Sequence, residues 1–207
     1  MNVGDRLPWE VTRLEEVLAG ETTRQRVLEW YEAFSASAFS VATPSPSPLL
    51  VNISGIPGAG KSTLAREVIK ENPSLLHVSF DNLMEELPPY REDLRQHGAR
   101  EAFARWELPA RHLGYRLLGE GIARRLSILF EHGNATPGHV ALYRRVKSLG
   151  YRVEIRFLDV PPGVAAERVA RRERFFPVEE IETRHAALAE LNEVYKKIVD
   201  TFEIIST

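Results

Sequence analysis

Cysteine is absent from the 207 residues, so the chain can build neither a disulfide framework nor a thiolate-ligated metal site. No apolar run approaches the roughly 18 residues that a membrane-spanning helix requires. A basic n-region followed by a short apolar stretch is also missing from the start, so the expectation is a soluble, cytoplasmic protein without a signal peptide. An excess of charge of either sign is lacking too. With 27 Lys and Arg against 29 Asp and Glu, the net charge is −2, which gives no global attraction to nucleic acid or to an anionic membrane. Any basic site must therefore be local. What is present is 43% hydrophobic content, ample for the core of one α/β domain with an appendage, in a chain too short for a second catalytic domain.

Against these absences stands Gly55-Ile56-Pro57-Gly58-Ala59-Gly60-Lys61-Ser62, which satisfies the phosphate-loop pattern G-x-x-x-x-G-K-[ST] at every fixed position. Its glycines let backbone N–H groups turn toward phosphate oxygens, and the helix that follows aims its positive end at the same anion. The pattern places Lys61 on the β- and γ-phosphates and Ser62 on Mg²⁺, with Gly55, Pro57, Gly58, Ala59, Gly60 and Thr63 completing the nucleotide contact. The flanks agree. Residues 49–54 read as a buried strand and 62–70 as a helix with Leu64, Val68 and Ile69 on one side. The chain is expected to hold a nucleoside triphosphate.

Before this loop, Leu14, Val17 and Leu18 and then Val27, Trp30, Tyr31 and Phe34 have the spacing of two short amphipathic helices. Residues 1–41 thus read as a helical extension and 42–48, Ala-Thr-Pro-Ser-Pro-Ser-Pro, as an extended Pro/Ser spacer leading into the main domain, 49–207. Packing over the sheet is the favoured role of the extension, with an oligomer contact or a tethered inhibitor as alternatives. Beyond the loop helix, strands are expected at 75–80, 127–130, 151–159 and 202–205. Helices are expected over 91–126 with a break near Pro109, over 136–149 with Thr136 as N-cap, over 163–172, and from Pro177 onward. Strands separated by helical runs imply right-handed crossovers and a three-layer α/β fold, a parallel five-stranded sheet flanked by helices, with ligands beyond the carboxyl ends of the strands.

That geometry singles out three acids that follow apolar strands: Asp81, Glu131 and Asp159. Phosphoryl transfer needs one group to orient or deprotonate the attacking hydroxyl and another to help hold Mg²⁺. Asp81 is assigned as the base, with a helix N-cap as its structural alternative. Glu131, in a loop opened by Gly133, is assigned to acceptor or metal-water contact, and Asp159 to a solvated turn. Arg168, Arg171, Arg172 and Arg174 lie within seven residues before Pro177, and guanidinium groups there suit the charge spread over a transferring phosphoryl group. Spacing i, i+3 sets Arg168 and Arg171 on one face, whereas Arg184 reads as an ordinary surface residue.

The order of these parts, the loop, Asp81-Asn82-Leu83, Pro88-Pro89-Tyr90, Glu131, Glu167-Arg168 and Arg174-Phe175-Phe176-Pro177, resembles the zeta toxin family of P-loop kinases over about 49–205. The resemblance implies an ATP- and Mg²⁺-dependent kinase that phosphorylates a small-molecule hydroxyl, in the best-known case that of a UDP-linked N-acetylhexosamine. It implies Lys61 and Ser62 on nucleotide and metal, Asp81 as base, Glu131 on the substrate side, and Arg168 and Arg174 as a phosphate clamp, beside which Arg171 is expected on the nucleotide. An antitoxin protein is the implied partner, unless the N-terminal helices serve as an intramolecular inhibitor. Two departures stand on the acceptor side. The family's Glu-Gly-Thr after the third strand is here Glu131-His132-Gly133-Asn134, and an acid expected in the preceding helix falls near Tyr115, with Glu120 the nearest substitute for substrate contact.

Other nucleotide-dependent classes fit less well. The chain has no Asn-Lys-x-Asp for guanine, no Leu-Ser-Gly-Gly-Gln transporter signature, and no Asp-Glu pair closing an apolar strand as a motor would carry. An antibiotic, nucleoside or nucleic-acid-end kinase remains open beside a nucleotide-sugar kinase, since acceptor loops do not reveal their ligand by composition.

Overall fold

The computed structural model describes residues 13–172 and 175–206. Five strands, β1 (Leu49–Ser54), β2 (Leu76–Ser79), β3 (Ile128–Glu131), β4 (Arg152–Asp159) and β5 (Thr201–Ser206), form one sheet in the order β2-β3-β1-β4-β5. Every pairing is parallel. Continuous apolar strands such as Leu49-Leu50-Val51 suit a sheet covered by helices on both faces, and β1, at its centre, is almost wholly buried. The phosphate loop leaves the carboxyl end of that central strand.

The helices are α1 (Leu14–Val17), α2 (Glu21–Ser40), α3 (Lys61–Glu71), α4 (Phe80–Glu86), α5 (Pro88–His97), α6 (Ala99–Ala123), α7 (Gly138–Ser148), α8 (Pro162–Ala170) and α9 (Glu180–Ile198). The break expected near Pro109 does not occur. Helix α6 runs through the proline, because Trp106, Ala110, Leu113, Leu117 and Leu118 bury one continuous face that outweighs the lost hydrogen bond. The chain turns instead at Gly98, whose φ of +86° separates α5 from α6. Asp93 of α5 then ties the two helices together, accepting from Trp106 Nε1 at 2.6 Å and from Arg105 Nη1 at 2.9 Å.

Two starts also shift. Helix α4 begins at Phe80, so Asp81 lies in its first turn, and the N-cap is Ser79, whose Oγ accepts from Asn82 N at 3.4 Å. Helix α7 starts at Gly138 after Pro137, and the hydroxyl of Thr136 meets His139 Nδ1 at 2.8 Å.

The N-terminal helices share the main core. Leu14, Leu18, Val27 and Tyr31 are buried in the same apolar cluster as the sheet, and α1 and α2 pack against α6. Arg116 stacks over Tyr31 at 4.6 Å and Arg124 over Phe39 at 4.2 Å. The Pro/Ser segment is extended but fastened: Pro44 bridges Leu126, Ser45 N donates to Arg125 O at 2.9 Å, and Arg125 Nη2 donates to Pro46 O at 2.7 Å. No helix among the described residues is long and apolar enough to cross a membrane.

Candidate active site

The phosphate loop has the backbone that its glycines allow. Gly55, Gly58 and Gly60 adopt φ of +141°, +88° and +99°, and a Cβ on Gly58 would meet the Ala165 carbonyl oxygen at 2.3 Å. The loop therefore lies flush on α8, and a side chain at 58 would lift it off. Lys61 Nζ donates to the carbonyls of Gly55 at 2.9 Å and Ile56 at 3.0 Å, which holds its ammonium beside the loop.

Glu131 ends β3 beside this loop. Its carboxylate is buried, with Oε1 accepting from Ser62 Oγ at 2.5 Å and Oε2 from His77 Nε2 at 3.3 Å. Burial pushes the carboxyl upward, but the hydrogen bonds from His77 and Ser62 and the nearby charge of Lys61 together hold it below the usual carboxylate range. An ionised carboxylate touching the first hydroxyl of α3 is a hard-oxygen pair that fits Mg²⁺, which typically takes one or two protein carboxylates and completes its shell with phosphate and water. The described residues hold no cluster of three or more acidic, histidine or cysteine side chains around a common centre, so a dedicated all-protein metal cage is absent among them.

One cleft joins the loop to the rest of the site. Its walls include Lys61, Ser62 and Glu131 on one side and Asp81, Met84, Phe103, Glu107, Arg111, Tyr115 and His132 on the other. Asp81 is half-buried in that wall. Glu107, Arg111 and Tyr115 are spaced i, i+4, i+8 on α6 and so face the cleft together, with Arg111 Nη2 donating to Glu107 Oε1. The acid that α6 contributes is thus Glu107. Glu120, expected on the substrate side, lies outside this cleft: it pairs with Arg116 at 2.8 Å on the stretch of α6 that faces α2. The 13 residues between 107 and 120 are about 3.6 turns, which puts the two acids on different faces.

The loop after β3 forms the floor of the cleft, held by a buried polar network. Asn134, at φ +63°, donates from Nδ2 to Asn52 Oδ1 at 2.6 Å and accepts from Tyr143 at 2.8 Å, while its carbonyl accepts from Tyr195 at 2.9 Å. Asn134 N donates to His132 Nδ1 at 3.1 Å, which leaves the hydrogen of the neutral ring on Nε2. The His132 ring stacks on Phe130 and His139 with centroids 5.2 and 4.3 Å apart. Burial drives both histidines down, His139 to about 4, and His132 also feels His139 and Arg111. Both rings are neutral at pH 7. A neutral His139 with its hydrogen on Nδ1 donates to Thr136 and accepts from Tyr115 OH at 3.0 Å.

The arginines divide differently from the sequence expectation. Arg168 Nη1 reaches Gly58 O at 3.5 Å, so it does lie at the phosphate loop. Arg171 and Arg172 are both exposed, but Arg172 lines the cleft, whereas Arg171 meets Glu167 at 3.8 Å outside it. Helix α8 ends at Ala170, and at the cleft wall Arg172 stands where the sequence expectation had put Arg171. Arg174 lies outside the described residues. Asp159 is exposed at the end of β4, as a solvated turn acid should be. Arg184 is no neutral surface residue: it lines the cleft from α9, with its guanidinium 5.0 Å from the Phe176 ring. Phe175 and Phe176 in turn meet Phe103 edge-on, with centroids 5.7 and 6.4 Å away, and so clasp the segment before α9 to α6.

Solved structures share this arrangement of strands and helices. A chain of the PezAT chromosomal toxin–antitoxin system of the human pathogen Streptococcus pneumoniae superposes with a TM-score of 0.71 at 16% identity, over 94% of this chain and 81% of that one. A chain of the AvrRxo1-ORF1:-ORF2 complex with ATP gives 0.69 at 16% identity, over 90% of this chain but 64% of its own length. A kinase-like protein of Chloroflexus aurantiacus, described as a "putative kinase", gives 0.51 at 17% identity, over 78% and 86%. At these identities the likeness establishes the fold alone. No curated protein matches the chain. The zeta toxin sequence pattern, however, matches residues 35–207, and on that match the chain belongs to the zeta toxin family.

Proposed function

We propose that this chain is an ATP-dependent kinase that transfers the γ-phosphate to a hydroxyl of a small molecule seated between α4, α6 and the loop after β3. The observation that carries the reading is that Asp81 and the Glu107–Arg111 pair share one cleft with Lys61, Ser62 and Glu131. A nucleotide switch needs no such acceptor wall. In the proposed reaction the Asp81 carboxylate takes the proton of the acceptor hydroxyl, the oxygen forms a bond to Pγ, and the bond from Pγ to the β–γ bridging oxygen breaks to release ADP. Lys61, Arg168 and Arg172, which lie at the phosphate loop and in the cleft wall, would meet the negative charge that builds on the transferring group. Ser62 and Glu131 are the residues that would hold Mg²⁺, which when bound neutralises charge on the β- and γ-phosphates.

The acceptor we favour is a nucleotide sugar such as UDP-N-acetylglucosamine. The family supports that class, and a wall carrying Arg111, Arg184 and the aromatic rings of Phe80, Phe103 and Tyr115 suits an anionic ligand with flat and apolar parts. Partnership with an antitoxin protein is proposed on the same family grounds, since two structures of this fold come from toxin–antitoxin and ORF1:ORF2 complexes. An intramolecular inhibitor is the weaker reading, because no described residue before Gly55 lines the cleft. Transfer from γ-labelled ATP to a panel of nucleotide sugars, nucleosides and aminoglycosides, with and without Mg²⁺, tests the proposal. Labelled nucleotide sugar supports it, and release of free phosphate with no labelled acceptor overturns it.

A further inference from the structure

His77 lies on β2, the edge strand, two positions short of the cleft end, and no motif accounts for it. Its register with β3 sets it opposite Leu129, so its side chain and that of Glu131 share one face of the sheet. Across that diagonal, His77 Nε2 donates to Glu131 Oε2 at 3.3 Å while Ser62 Oγ donates to Oε1 at 2.5 Å. The Glu131 side chain is only 3% exposed, so the number of donors that can reach it is small. A carboxylate held at one oxygen alone still rotates about its last bond, and the second donor fixes the plane of the group. His77 itself is about a quarter exposed and does not line the cleft, which it reaches only through Glu131, so a direct contact with substrate or nucleotide does not explain it.

We infer that His77 is a positioning residue for the metal site: its Nε2–H fixes the rotation of the Glu131 carboxylate so that Oε1 faces Ser62 and the Mg²⁺ of the bound nucleotide. The inference rests on the reading of Ser62 and Glu131 as the Mg²⁺ pair. Groups that orient a ligating side chain typically change metal affinity about 10- to 100-fold when removed.

Calorimetric binding of the non-hydrolysable analogue AMP-PNP, in EDTA and across a Mg²⁺ series, reads this out without catalysis. His77→Ala should raise the Mg²⁺ concentration that half-maximally tightens binding by about 10-fold, and leave affinity in EDTA unchanged. His77→Gln, whose amide Nε2 also donates, should return the Mg²⁺ requirement close to that of wild type. Thermal melts of both variants without nucleotide register any loss of fold separately. An unchanged Mg²⁺ requirement in His77→Ala, equal weakening with and without metal, or a glutamine variant that melts normally yet behaves like alanine each overturns the role of His77. Wild-type binding that is indifferent to Mg²⁺ overturns the Ser62–Glu131 metal site and this inference with it, which separates the two failures.

Discussion

The two sides of the cleft are built in different ways. The proposed nucleotide side is one short stretch, residues 55–62, whose glycines take backbone conformations that other residues rarely adopt. The acceptor side is assembled from side chains on α4, α6, the loop after β3 and α9, brought together only by the packing of the sheet and helices. A triphosphate is the same anion in every protein, so one local solution serves it. An acceptor hydroxyl comes on molecules of many shapes, and its wall has to be drawn from distant segments whose spacing follows no fixed pattern.

Breaking the local side should have the largest effect. Lys61→Ala removes the charge aimed at the phosphates and should lower phosphoryl transfer by about 10³-fold or more, in radiolabel assays, with an unchanged melting temperature. The clamp separates the two sides less sharply. Arg168→Ala and Arg172→Ala should each lower kcat and kcat/KM together, by about 10²-fold, while Arg171→Ala leaves both at wild-type values. Equal behaviour of all three in steady-state kinetics would reduce the cluster to a solvated helix end. On the acceptor side, Glu107→Gln or Arg111→Ala should raise the acceptor KM about 10-fold, the worth of one charged hydrogen bond, without altering ATP affinity. Glu120→Gln, on the α2 side of the same helix, should change neither.

The smallest effect sharpens the comparison through pH. His139 is held neutral by burial with its pKa pushed down to about 4, against about 6.5 in the unfolded chain. Between these values the unfolded state binds more protons, so stability falls as pH drops below 6.5, by at most about 1.4 kcal/mol per pH unit for this one ring. Glu131 acts in the same sense at lower pH, since its depressed pKa makes a contribution that is present above the usual carboxylate range and lost on protonation. Denaturant melts of wild type and His139→Gln from pH 7 to 4.5 should show a shallower fall in the variant. Parallel curves would remove His139 from the floor's electrostatics.

Much of the nucleotide side was legible in the residues: the loop, its flanking strand and helix, and the parallel sheet all follow from local patterns that the tertiary structure does not override. The acceptor side was hidden for a specific reason. The family pattern puts its acid near Tyr115, where Glu120 is nearer along the chain than Glu107, and the break expected at Pro109 cuts the i, i+4, i+8 stripe that joins Glu107 to Tyr115. Burial of the Trp106, Ala110, Leu113 face carries the helix through the proline and restores the stripe. Arg172 was visible as one of four clustered arginines, but which of them reaches the cleft depends on how the end of α8 at Ala170 lies against the loop, which spacing alone does not give. His77 and Asn134 gave no signal along the chain; their partners lie 54 and 82 residues away.

In the proposed reaction Asp81 serves the acceptor while the loop serves ATP, within one cleft. The direct test is Asp81→Asn, measured both for Mg²⁺·AMP-PNP affinity and for transfer to the acceptor that the panel identifies. Nucleotide affinity should stay at the wild-type value while kcat falls by about 10² to 10⁴. Wild-type turnover, or a loss of nucleotide affinity as large as the loss in rate, would contradict that role for Asp81.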